Sequence, residues 1–285
     1  MTSREESTSK RIKAGAIDLH YHESGSGFPV VLLHGGGPGA SGWSNFSRNF
    51  APLAAHWRVL VPDLPGFGKS ERVTLEDRAF GFYAGVIRDF LRALGISQAH
   101  FVGNSLGGGT ALKLALDHPG HVGRLVLMGT GGSLPVFSAT PTEGVCRLFD
   151  FYAGAGPSMQ KLRSFIDLLV YDTSAITDEL LAARYAAATL PEVVSNPPLK
   201  FKGRPPLEEL WREALGELTH DVLLVNGRED RVVPLDTAFL LLKLIPNARL
   251  HVLPKCGHWA QWEHADEFNA LVHDFLGRAS GSAAR

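Results

Sequence analysis

Six short apolar runs punctuate the chain: residues 30–33 (VVLL), 58–61 (RVLV), 100–102 (HFV), 125–128 (LVLM), 222–225 (VLLV) and 250–253 (LHVL). None alternates apolar with polar residues, the pattern of strands covered on both faces in a mostly parallel sheet. Segments of helical period lie between them, at 83–94, 106–117, 237–244 and 265–276. The alternation predicts an α/β, doubly wound core. The rhythm breaks once: about ninety residues after Met128 hold no convincing strand, too long a stretch for a structureless loop. Helical patterns at 142–152, 158–170, 178–188 and 207–215, broken by NPP and RPP, predict an inserted helical lid. The expected division is core 1–132, lid 133–217 and core 218–285. The polar residues 1–10 and the tail from Gly277 read as poorly ordered ends.

Composition narrows the picture by exclusion. Lys and Arg number 28 against 29 Asp and Glu, so the formal net charge of −1 supplies no field for nucleic acid or an acidic membrane. Residues 1–10 lack the apolar stretch of a secretory signal, and no run approaches a bilayer span. Two cysteines, Cys146 and Cys256, make no disulfide framework. A soluble, cytoplasmic protein is expected.

The chemistry concentrates in three glycine-marked loops. Gly103-Asn104-Ser105-Leu106-Gly107 is G-x-S-x-G, directly after one predicted strand and before a predicted helix. That context marks a nucleophile elbow, with small flanking residues accommodating a strained turn at Ser105. The helix N-terminus behind it offers backbone N–H groups and a positive dipole end to a developing oxyanion. His34-Gly35-Gly36-Gly37-Pro38-Gly39 follows the strand VVLL and matches a loop that supplies the second oxyanion donor. Gly36 and Leu106 are the expected N–H pair, with His34 bracing the loop. A phosphate-binding reading fails for want of G-K-[ST] or G-x-G-x-x-G.

An acid and then a base should follow the serine in chain order. Asn226-Gly227-Arg228-Glu229-Asp230 follows VLLV, and Cys256-Gly257-His258-Trp259 follows LHVL. Asp230 is the expected acid, Glu229 its rival, and His258 the base. Cys256 reads as a structural thiol. No H-E-x-x-H is present and the spacing of His258 and His264 does not suit zinc, so neither metal nor cofactor is expected.

Taken together, HGGGPGASGWSNF, GNSLGGGTAL, ITDELLAARYAAATLPE, GREDRVVPLD and CGHWAQWEHADEFN closely resemble the meta-cleavage product hydrolases, over residues 17–276. These are C–C bond hydrolases with the α/β-hydrolase fold, acting in aromatic and steroid ring degradation. The resemblance implies a small-molecule 2-hydroxy-6-oxo-hexa-2,4-dienoate substrate and a homo-oligomer. It assigns Ser105, Asp230 and His258 to a triad, and Gly36 and Leu106 to an oxyanion hole. Gly37, Asn45, Asn104, Arg184 and Trp259 would contact the polar dienoate end, with Arg184 on the lid pairing with the carboxylate. On their own residue types, Arg184 would be a solvated helix arginine, Asn45 a loop-capping amide and Trp259 a packing aromatic. A serine esterase or lactonase is the rival activity. Serine at 105 argues against the acid nucleophile of haloalkane dehalogenases and epoxide hydrolases, and an intact triad argues against a pure ligand receptor. The sequence leaves open whether Ser105 forms an acyl-enzyme or activates water, and which group sits on C6.

Overall fold

In the computed structural model, which describes residues 3–203 and 208–278, the six apolar runs lie inside six adjacent strands. In chain order the strands are β1 (Ser9–Ala14), β2 (Ile17–Ser24), β3 (Pro29–Leu33), β4 (Arg58–Pro62), β5 (Ala99–Asn104), β6 (Val122–Met128), β7 (Val222–Gly227) and β8 (Ala248–Leu253). They form one sheet in the order β1-β2-β4-β3-β5-β6-β7-β8. From β4 to β8 all pairings are parallel, whereas β1–β2 and β2–β4 are antiparallel. The strand order reverses at β3, so its C-terminal end and that of β5 flank a crevice where ligands of open α/β sheets bind.

The helices are α1 (Ser3–Ser7), α2 (Gly42–Ala54), α3 (Ala79–Ala93), α4 (Leu106–Asp117), α5 (Glu143–Asp150), α6 (Met159–Leu169), α7 (Asp178–Ala188), α8 (Pro191–Ser195), α9 (Leu235–Leu244), α10 (Ala260–Glu263) and α11 (Ala265–Gly277). Alternate strand residues feed two cores. Val31, Leu33, Phe101, Leu125 and Leu127 pack towards α3 and α4. Val30, Leu32, Val102, Val126 and Met128 pack towards α2 and α11. From β3 to β7 both faces are buried, which is why those runs show no polar alternation; β8, at the sheet edge, is only half-buried. Each such side chain contributes roughly 1.5–3 kcal/mol. Between β6 and β7 the helices α5–α7 gather a third cluster, with Phe151, Leu162, Phe165, Ile166 and Leu181 meeting Trp259 and Trp262.

The structure departs from expectation at four places. Residues 1–10 are not simply a loose end: Ser3–Ser7 is helical and β1 begins at Ser9. This edge strand is mostly exposed and charged, so apolar periodicity cannot find it. Its order comes from pairing with β2 and from contacts such as Lys10–Glu23 at 2.8 Å and Ser9 to His20 at 2.8 Å. The helix expected at 207–215 does not form over the described residues 208–215. Leu207 lies outside the described residues, and two 3₁₀ turns, Leu210–Arg212 and Leu215–Glu217, follow. Here Glu208 is spent capping α3, accepting from the backbone N–H of Ala79 (2.6 Å) and Phe80 (3.0 Å). Helix α2, with Pro52 inside it, was not foreseen; a Ser41/Ser44 capping box starts it. Gly277 closes α11 rather than opening a loose tail, and residues 279–285 lie outside the described residues.

Candidate active site

The chain passes from β5 into α4 through Ser105 alone, and Ser105 has φ 54° and ψ −112°. A non-glycine residue there costs roughly 1–3 kcal/mol, so surrounding contacts must hold it. Its N–H donates to Met128 O (2.8 Å), and its carbonyl accepts from Gly109 N and Gly131 N, both at 3.0 Å. The flanking glycines permit the turn. A methyl on Gly103 would fall 2.5 Å from Gly107 O, and one on Gly107 2.1 Å from Leu33 O.

Asp230 stands in the turn after β7 and His258 in the loop after β8, both buried. Asp230 Oδ2 lies 2.7 Å from His258 Nδ1. Its Oδ1 accepts from the N–H of Val232 (2.8 Å) and Val233 (2.9 Å), which orients the carboxylate. A proton on Nδ1 then faces Asp230, leaving Nε2 free to accept one. Glu229, the rival acid, turns away to accept from Cys256 N at 3.0 Å and to pair with Arg228 at 2.8 Å. Burial and nearby carboxylates push the Cys256 thiol far up, in keeping with an inert structural role.

Two features of the His258 loop escaped sequence reasoning. Leu169 O, at the end of α6, accepts from His258 N (2.8 Å) and Trp259 N (3.1 Å). The Glu263 carboxylate accepts from Gly257 N (2.7 Å) and Tyr171 N (2.6 Å), tying this loop to the segment after α6. Burial raises the pKa of Glu263 despite those bonds. The only sequence signal was a glutamate five residues past His258.

The glycine loop after β3 faces the N-terminus of α4. Methyls built on Gly36 would come 3.6 Å from Leu106 Cβ, so the two backbones converge. Neither the Gly36 nor the Leu106 N–H donates to a protein acceptor among the described residues. His34 braces the loop: Nε2 accepts from Leu64 N (2.9 Å), so Nδ1 donates to Gly35 O (2.8 Å). Burial lowers its pKa, favouring the neutral ring this arrangement needs.

Eight of the expected residues line one pocket: Ser105, His258, Gly36, Gly37, Asn45, Asn104, Arg184 and Trp259. Asp230 stands behind His258. Asn45 is committed to the protein, its Oδ1 accepting from Gly35 N at 3.4 Å and its amide donating to Ser41 O at 3.1 Å. Asn104 donates to His258 O at 3.2 Å, while its Oδ1 has no partner among the described residues. Arg184 is not on a solvated face. It is 4% exposed, its Nη1 donates to Ser44 Oγ at 3.0 Å, and its Cζ lies 5.3 Å from the Trp259 ring centroid. No carboxylate pairs with it among the described residues, and its Nε has no partner there. Desolvation lowers its pKa to about 10, which still leaves a full positive charge at neutral pH. A strained serine, a carboxylate-oriented imidazole and two free N–H groups form apparatus for attack on a carbonyl. The unpaired buried guanidinium adds a place for an anion.

Sheet, elbow and loops together define an α/β-hydrolase, and residues 29–265 match the family model of the alpha/beta hydrolase fold. The chain is 45% identical over 261 residues to a 2-hydroxy-6-oxo-6-phenylhexa-2,4-dienoate hydrolase of Burkholderia cepacia, covering 90% of this chain and 91% of the relative. It is 44% identical to a 2-hydroxy-6-oxononadienedioate/2-hydroxy-6-oxononatrienedioate hydrolase of Comamonas testosteroni, over 90% and 91% of the two chains. Among solved structures, the 2-hydroxy-6-oxo-6-phenylhexa-2,4-dienoate hydrolase of Rhodococcus sp. strain RHA1 superposes with a TM-score of 0.83 at 33% identity, over 94% of this chain and 98% of that one. A meta-cleavage product hydrolase from Pseudomonas fluorescens gives 0.82 at 36%, over 94% and 97%. Within the α/β-hydrolases this chain belongs to the meta-cleavage product hydrolases.

Proposed function

We propose that this chain hydrolyses the C5–C6 bond of a 2-hydroxy-6-oxo-hexa-2,4-dienoate bearing an apolar aryl or alkyl group on C6. The observation that carries the reading is the buried, acid-free Arg184 in the same pocket as Ser105 and His258. An ordinary esterase has no use for a desolvated cation beside its serine, whereas a dienoate brings a carboxylate to meet it.

The dienol proton leaves O2 and a proton is delivered to C5, so that the bond to C6 breaks towards a stabilised carbanion equivalent. His258 handles protons, held in one tautomer by Asp230. Ser105 Oγ attacks C6, and the oxyanion is received by the N–H groups of Gly36 and Leu106. Cleavage releases 2-hydroxypenta-2,4-dienoate, and water takes the acyl group from Ser105 as a carboxylic acid. Gly37, Asn104 and Trp259 complete the polar end, and Asn45 holds the glycine loop.

The apolar lining of the pocket is Leu148, Leu169 and Val232, with Phe165 beside Gly37. Among the described residues Arg184 is the one cation of its lining, so a second carboxylate on C6 would lack a partner. The described part of residues 133–217 acts as a lid that supplies Leu148, Phe165 and Leu169 to this lining, and Val232 comes from the turn after β7. Among the described residues no helix is long and apolar enough to cross a membrane. Free thiols at Cys146 and Cys256 suit a reducing cytoplasm, where we place the protein as a homo-oligomer.

The decisive measurement mixes purified protein with C6-phenyl, C6-methyl and C6-carboxyethyl dienoates and follows loss of dienoate absorbance together with acid release. Turnover of the first two, with the third slower by about tenfold or more, is expected from an unpartnered buried charge. Cleavage of nitrophenyl esters without dienoate turnover would overturn the reading.

A further inference from the structure

Arg184 stands in a wall between two spaces. On one side is the pocket of Ser105, a cavity of only about 20 Å³. On the other is a cavity of about 510 Å³ beneath α7, reaching α2 and the loop from Asp63 to Arg72. Ala40, Arg184 and Trp259 line both. Ala183 and Ala187, on the α7 wall of the larger cavity, are exposed, so it opens to solvent there. A dienoate needs far more than the smaller space, since ligand pockets run to roughly 300–1,000 Å³. It must therefore enter by displacing part of a wall.

The guanidinium has donors on both sides of that wall. Nη1 is bonded to Ser44 Oγ, which lines the larger cavity. Nη2 lies beside Gly37 of the smaller pocket, where a built methyl would come within 3.2 Å of it. One neutral hydroxyl and a ring face hold Arg184, and Nε is unpartnered among the described residues. Charge on the larger cavity favours an anion. Lys69, Arg72 and Arg184 line it, against Glu5 and Asp63. Asp63 is already taken up by His20 Nδ1 (2.8 Å), Gly42 N (2.7 Å) and Lys69 N (2.9 Å). Glu5 reaches Lys69 at 3.7 Å, and among the described residues Arg72 donates only to the carbonyls of Gly66 and Gly68. His22 also lines the cavity; burial lowers its pKa to about 4, so it adds no charge at neutral pH.

We infer that the larger cavity is the entry route for the carboxylate end of the dienoate, and that Arg184 takes the carboxylate on its Ser44 side and carries it to its Gly37 side. The inference rests on the dienoate reading above. Lys69 and Arg72 draw the anion to the mouth by long-range attraction. The apolar faces of Leu180, Leu190 and Val193 accept the rest of the molecule in transit.

The route is tested by stopped-flow binding of the C6-phenyl dienoate to protein carrying Ser105→Ala, where binding is seen without turnover. Ala183→Trp and, separately, Ala187→Trp fill the cavity from exposed positions and leave Arg184 and Ser105 in place. A blocked route lowers association and dissociation rate constants together, by about tenfold or more, with Kd unchanged. Lys69→Gln should slow association about threefold and flatten its dependence on salt, with no effect on the neutral methyl ester of the dienoate. Association rates untouched by both tryptophans would overturn the route, as would a change in dissociation alone. Wild-type turnover of the dienoate is measured first: its absence defeats the functional reading, whereas turnover with tryptophan-insensitive association defeats the route alone.

Discussion

Ser105 and Arg184 are side chains of one pocket held in opposite ways. Ser105 sits at a strand end, strained, with three backbone hydrogen bonds fixing its peptide groups and β3 and α4 in contact on either side. Arg184 sits on a helix of the β6–β7 segment, unstrained, held by one hydroxyl and an aromatic face. In the proposed reaction the first is a group whose position must not vary, and the sheet supplies that rigidity. The second keeps its hydrogen-bonding capacity open, and a ligand carboxylate would fill it. On the proposed function, the chemistry would rest on the sheet layer and carboxylate recognition on the helices between β6 and β7.

Breaking the rigid side should have the largest effect. Ser105→Ala should lower kcat on the dienoate by about 10⁴-fold or more while the thermal midpoint stays within a few degrees, because triad members act as a unit. A variant retaining a tenth of the wild-type rate would remove Ser105 from the chemistry.

Breaking the open side should be selective. Arg184→Gln should cost about 2–4 kcal/mol in kcat/KM for the dienoate, on the order of 30- to 1,000-fold, and leave nitrophenyl acetate hydrolysis nearly unchanged. Equal losses on both substrates would make Arg184 a structural support.

The seam between the two regions should respond as both. Glu263→Ala leaves the N–H groups of Gly257 and Tyr171 without their acceptor, at a cost of about 1–3 kcal/mol in urea unfolding. It should also slow kcat, since Gly257 adjoins His258. A stability loss with kcat intact would show that the latch does not reach the imidazole.

A separate pH dependence of stability comes from two desolvated imidazoles. His22 is buried and His100 half-buried, and desolvation lowers both pKa values to about 4 from 6.5. The unfolded chain therefore binds more protons between those values. Their contribution to stability is complete above pH 6.5 and declines as pH falls towards 4. Urea midpoints across that range should fall with acid, and less steeply in His100→Gln; identical slopes would remove His100 from the titration.

Much of this was legible without coordinates, and the division has a physical basis. The parallel strands, the elbow and the glycine loop depend on neighbours in the chain. A strained turn needs small residues beside it, and a strand buried on both faces needs an uninterrupted apolar run. The doubly wound core, helix 106–117 and the loop placements of Ser105, Asp230 and His258 could therefore be read from local pattern. What required tertiary structure was every choice made between distant segments. Glu229 and Asp230 are adjacent, and only the packing of the turn after β7 against the His258 loop sends one to the imidazole and the other to Cys256 N. Strand β1 shows no apolar signature because its order comes from pairing with β2. The AARYAAA stretch of α7 carries no apolar stripe that would bury an arginine. Arg184 is desolvated because Ser44, Gly37 and Trp259, from three other parts of the chain, close around it. Burial is a property of the assembled layers, and no single segment encodes it.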